Sequence, residues 1–189
     1  FKLYASGDHQ LELSGVETLR GGNADDTFII RGPVNFFLDG GAGNNTLDYS
    51  QYGSGVTMDL QTMSITGLIG FANIQNFRGS NFNDTIIGPD DGATFSITAA
   101  DAGTVSGSFG SFSFTSVEIL LGGAGNDTFA LSGNGSISGR ISGLEIIYTG
   151  SGDDSFLISG ANAYQLYSGA GDDTFRFAAN GTLTGLLDG

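Results

Sequence analysis

The chain has 189 residues, 39% of them hydrophobic, with 33 glycines and a net charge of −14. That apolar content excludes a disordered low-complexity segment, and the irregular placement of glycine excludes a collagen-like helix. The acidic surface repels nucleic acid phosphates and anionic membranes, so neither nucleic acid binding nor membrane insertion is expected, and cations are the natural counterpart. The sequence has no cysteine, which rules out a disulfide framework and thiolate metal sites.

In chain order, residues 1–16 read as a partial lead-in, with Leu11 and Leu13 as inward positions of a strand. Val16-Glu17-Thr18-Leu19-Arg20 then runs into the turn Gly21-Gly22-Asn23-Ala24-Asp25-Asp26-Thr27-Phe28. This octet recurs at Gly40–Leu47, Gly79–Ile86, Gly122–Phe129, Thr149–Phe156 and Ser168–Phe175. Each copy is a small-residue turn, two Asp/Asn positions, a hydroxyl residue and an apolar residue. Eight of the sixteen aspartates lie in these motifs. Lead segments resembling the first precede three later copies, at Ile74–Arg78, Val117–Leu121 and Leu144–Tyr148, with Glu17, Gln75, Glu118 and Glu145 at the same place. One acid per repeat, replaced once by Gln, reads as an outward polar position rather than a catalytic pair.

After each hydroxyl, apolar residues return two positions apart: Phe28/Ile30, Leu47/Tyr49, Phe129/Leu131, Phe156/Ile158 and Phe175/Phe177. That period is a short strand with one face inward, interrupted only by Ile29 and Leu157 on the outward side. Thr27 to Thr46 and Ser155 to Thr174 are each 19 residues apart, while Thr46–Thr85 and Thr85–Thr128 are 39 and 43. Coils of about 19–21 residues explain this if Val56–Leu60 and Phe95–Val105 belong to coils without a motif. The interval of 27 from Thr128 to Ser155 needs a longer coil. The expected fold is all-β, a parallel β-solenoid of roughly nine or ten coils, roughly 45 Å long, forming a single array over residues 1–189. The start at Phe1 and the end at Leu187-Asp188-Gly189, similar to Leu38-Asp39-Gly40, are those expected of a piece of a longer array.

Gly122–Phe129 resembles the calcium-binding nonapeptide of the RTX family, Gly-Gly-x-Gly-x-Asp-x-apolar, and the wider repeat resembles that of large secreted and surface bacterial proteins. The resemblance implies calcium held between stacked turns by aspartates and main-chain carbonyls, at Asp26, Asp84, Asp127, Asp154 and Asp173 with Gly122 and Gly125. It also implies a secreted, cell-surface location and adhesion. The motifs depart from RTX spacing, being 19 or more residues apart instead of back to back, and Asn45 replaces one aspartate. Calcium prefers six to eight oxygen ligands, so Asp154 stacked on Asp173 is the first candidate pair and Asp26 with Asn45 the second. The competing reading is turn architecture, in which Asp and Asn bond backbone N–H groups without metal.

No enzyme is expected: His9 is the only histidine, so triads and histidine metal sites have no material. The expected role is a stalk, adhesin or fibre whose partners are neighbouring repeats or identical subunits, and surface polysaccharide. The alternative is a carbohydrate-binding β-helix module, non-catalytic or catalytic, with Tyr49, Tyr52, Tyr148, Tyr164 and Tyr167 as a sugar-stacking patch, residues otherwise read as core or coil edge.

Overall fold

The computed structural model describes residues 15–123, 125–131, 140–142, 146–148, 155–158, 161–162 and 165–188. Among these residues every regular element is a β-strand, most of them three residues long. The brevity follows from the octet. The residue after the hydroxyl points inward and its neighbours point out, so each three-residue motif strand has a single inward rung flanked by outward positions.

Parallel stacking unites the strands. In the longest sheet the order is Thr27–Ile29, Thr46–Asp48, Asn76–Arg78, Gly110–Thr115, Ala102–Gly107, Ala93–Ala99, Thr128–Leu131, Ile146–Tyr148, Gln165–Tyr167 and Leu187–Asp188. Register places one apolar side chain per strand in a ladder. Leu47 sits on Phe77 and Phe77 on Phe114. Beyond the centre, Val105 faces Phe95, which is followed by Phe129, Ile147 and Leu166. All are buried. A second sheet stacks Met58, Ile86 and Leu120, and a third stacks Leu19, Leu38 and Phe71. The three ladders converge on one core. As the alternation requires, Ile29 breaks the pattern at the cost of exposure, at 42%.

The 19-residue spacing is realised where Thr27 pairs with Thr46 and Ser155 with Thr174. At the longer intervals motif strands pair with strands that carry no motif, including those within Val56–Leu60 and Phe95–Val105. Thr46 pairs with Asn76, Thr85 with Thr57, and Thr128 with Thr94, so motif hydroxyls at those intervals do not meet one another. Residues 93–115 form an antiparallel meander inside the parallel stack instead of a plain coil. Its two turns are two residues long, Ala100–Asp101 and Ser108–Phe109. Connections that short join only antiparallel neighbours. A second, smaller hairpin pairs Thr57–Asp59 with Ser64–Ile65.

Candidate metal-binding turns

In the second, third and fourth motifs the residue just before the strand is Asn45, Asp84 or Asp127, and its side chain reaches back to the preceding coil. Asp26 N–H donates to Asn45 Oδ1 at 2.9 Å, Val56 N–H to Asp84 Oδ1 at 2.7 Å, and Ala93 N–H to Asp127 Oδ1 at 2.7 Å. Where the next coil offers a lead segment, Gln or Glu serves the same purpose. Asn45 N–H donates to Gln75 Oε1 at 2.7 Å, and Asp84 N–H to Glu118 Oε2 at 2.8 Å. The carbonyls of these residues are used too: Thr46 N–H donates to Asp26 O at 2.8 Å, Thr85 N–H to Val56 O at 2.8 Å, and Ile119 N–H to Asp84 O at 2.9 Å. Each residue is therefore clasped at both its N–H and its C=O by the following coil. Gln75 and Glu118 are half-buried parts of this column and not the outward polar positions expected of them. Glu17 is exposed, and Glu145 lies outside the described residues.

The second side-chain atom closes the turn itself. Gly22 N–H donates to Asp26 Oδ2 at 2.7 Å, and Ser80 N–H to Asp84 Oδ2 at 2.6 Å, with the Ser80 hydroxyl also on both Asp84 oxygens at 3.0 Å. Asn45 cannot accept with its amide nitrogen, so it donates to Asn73 O at 2.9 Å, and Gly41 N–H turns to Asp39 Oδ1 at 2.9 Å. Asp39 also receives Asn73 Nδ2 at 2.6 Å, and these two bonds lower its pKa against a small opposing effect of burial. Burial pushes the Asp84 carboxyl above its ordinary value, against the pull of the Val56 and Ser80 donors. Burial raises Glu118 as well, assisted by the charges of Asp84 and Asp101 and opposed by the Asp84 N–H.

This chemistry decides how the turns suit calcium, which requires a shell of oxygens free of competing donors. Asp84 does not fit: it is fully buried and both its oxygens face N–H or hydroxyl donors. One oxygen of Asp26 and one of Asp127 are committed in the same way. Gly125 serves close approach of turn on turn, and the Gly122 carbonyl is the atom that a Cβ on Gly88 would meet. A Cβ on Gly125 would fall 2.5 Å from Gly92 N and 2.7 Å from Asp90 O. Gly43 matches it in the second motif, with φ +98 and Ala24 main chain 2.6 Å from a would-be Cβ. The sixth motif forms the turn at residues 168–173. Asp172 is exposed, Asp173 half-buried, and both line a recess with Ser168, Gly171 and Thr174. Asp154, the expected mate of Asp173, lies outside the described residues, although the strands that follow the two turns pair in register. Among the described residues no three acidic or histidine side chains converge.

The tyrosines separate. Tyr49 and Tyr52 are buried against each other, their ring centroids 5.2 Å apart, and the Tyr49 hydroxyl donates to Thr66 O at 2.7 Å. Burial raises the Tyr49 pKa, so this hydroxyl stays protonated. These two are core and not a sugar-stacking surface; Tyr167 is half-buried, and the side chains of Tyr148 and Tyr164 lie outside the described residues.

The family model described as the RTX calcium-binding nonapeptide repeat (4 copies) matches residues 37–50 and 115–135. These stretches hold the second and fourth motifs, so the RTX-like reading of the repeat stands at both, and calcium is the ion that the matched family's repeat binds. No curated protein matches the chain.

Proposed function

We propose that this chain is a calcium-binding repeat segment of a secreted bacterial protein, stacked as a β-solenoid and serving as a stalk, adhesin or fibre at the cell surface. The observation that carries this reading is the coupling of the matched repeat to a coil-to-coil clasp. In that clasp the second motif is locked to its neighbours by Asn45, and Asp84 and Asp127 lock theirs. A structure built this way resists extension along the stack, because the described repeats at Asn45, Asp84 and Asp127 combine main-chain bonds, a side-chain clasp and an apolar rung.

Calcium belongs, on this reading, at Asp172 and Asp173 with main-chain carbonyls of residues 168–171, and at Asp154 of the preceding turn. When bound, it supplies neutralisation of carboxylates that would otherwise repel in a chain of net charge −14. The residues themselves position the turn: Gly169 and Gly171, with φ of 82 and 141, open it, and Thr174 begins the strand that fixes it. The acids at Asp84 and Glu118 are committed to main-chain donors, which supports a structural role over a catalytic one. Metal that binds only folded coils stabilises them by mass action, which would couple folding to the calcium-rich exterior. Neighbouring repeats or identical subunits are the partners this architecture suits.

Hydrogen exchange of the chelator-treated chain with and without added calcium tests the reading. Slowed exchange spreading outward from residues 165–177 on calcium addition supports it, and identical protection in both states refutes it.

A further inference from the structure

The third motif carries an aromatic side chain inside its turn. Phe82 stands where the second and fourth motifs have Gly43 and Gly125. Its ring is 51% exposed in a turn whose core rung is supplied by Ile86, so packing gives no reason for a phenylalanine there. The ring forms one wall of a recess whose other walls carry Asn81, Asn83, Asp101, Ser116 and Glu118. The meander brings Asp101 into it, because the two-residue turn between Ala93–Ala99 and Ala102–Gly107 falls beside this motif turn. Asp101 and Ser116 both hold left-handed backbone, φ 51 and 55, a conformation that persists where surroundings impose it.

We propose that this recess binds a neutral saccharide. One exposed aromatic face beside a ring of amides, hydroxyls and carboxylates is the chemistry that recognises a pyranose. The ring stacks against the sugar's C–H face, amides donate to and accept from its hydroxyls, and carboxylates accept hydroxyl protons. A peptide would need more apolar wall than Phe82 and Ala100 provide. An anionic sugar or nucleotide would meet Asp101 and Glu118 in a chain of net charge −14. Calcium is the poorer occupant, since Glu118 Oε2 is already taken by the Asp84 N–H. The recess lies away from residues 168–173 and stands independently of the metal reading.

The test is binding of the whole chain, in chelator, to an immobilised array of neutral hexose and N-acetylhexosamine oligosaccharides. Wild-type protein and the Phe82→Tyr variant bind a common subset of these sugars. Phe82→Gly, which restores the residue found in the sibling motifs, keeps the thermal midpoint and weakens binding about tenfold. The proposal is overturned if no oligosaccharide is retained above a blank surface, if Phe82→Gly binds as well as wild type, or if binding appears only with calcium present.

Discussion

Glu118 Oε2 accepts the main-chain N–H of Asp84 across one coil step, at 2.8 Å, and thereby joins the lead segment of one repeat to the metal-type turn of another. Gln75 does the same for Asn45. Glu118→Gln is therefore expected to retain stability, because the amide oxygen suffices. Glu118→Ala leaves a half-buried N–H unpaired and lowers the unfolding free energy by about 1–3 kcal/mol. Denaturant titrations at unchanged slope measure both; equal loss in the two variants would remove the clasp as the cause.

Acidification should stabilise the fold. The Glu118 and Asp84 pKa values are raised by burial in the folded chain, so their contribution is fully present below the unfolded values of 4.5 and 3.8 and is lost as pH rises through the higher folded values. Asp39, lowered, acts oppositely but only below 3.8. In chelator the thermal midpoint should rise as pH falls through the raised folded values towards the unfolded Glu value of 4.5. Reduced self-repulsion of the acidic chain acts in the same direction. Glu118→Gln removes the Glu118 share and flattens the profile; an identical profile in the variant contradicts this account.

Asp and Asn are not interchangeable at the clasp. Asp84→Asn would turn an amide nitrogen towards a Ser80 N–H donor, and Asn45→Asp would set a carboxylate oxygen against Asn73 O. Each exchange should cost about 1–3 kcal/mol by chemical denaturation. Neutral behaviour of both would mean that the turns rearrange freely.

The apolar ladder sets the largest stability effects. Phe95 lies at the centre of the longest sheet, between Val105 and Phe129, fully buried. Phe95→Ala should cost about 3–5 kcal/mol, whereas Ile29→Ala, at an exposed site, should stay within about 0.5 kcal/mol. Calorimetric midpoints of the two variants check the contrast.

The repeat made much of the fold legible. Period-two alternation after each hydroxyl located the strands, and the 19-residue spacing gave the correct pairing of Thr27 with Thr46. The meander was less visible, because Phe95/Ile97 and Phe112/Phe114 alternate as coil strands do. The signals that distinguish it are local, at Ala100–Asp101 and at Gly110, with φ 106, where the chain reverses within two residues. The role of Gln75 and Glu118 escaped for a different reason. Alternation assigns them to the outer face, and only register shows that a longer side chain there replaces Asp or Asn one coil away. The aspartate itself reads alike whether it binds metal or an N–H, so composition could not show that both oxygens of Asp84 face protein donors.

The most direct test of the central claim is a calcium titration of the chelator-stripped chain followed by calorimetry, with the Asp172→Asn, Asp173→Asn double variant alongside. The account predicts a midpoint that climbs with calcium, equivalent to about 2.7 kcal/mol at a hundredfold excess over Kd, and a variant that responds weakly or not at all. A wild-type midpoint unchanged between chelator and millimolar calcium would contradict it, and would leave the turns as main-chain clasps without a metal.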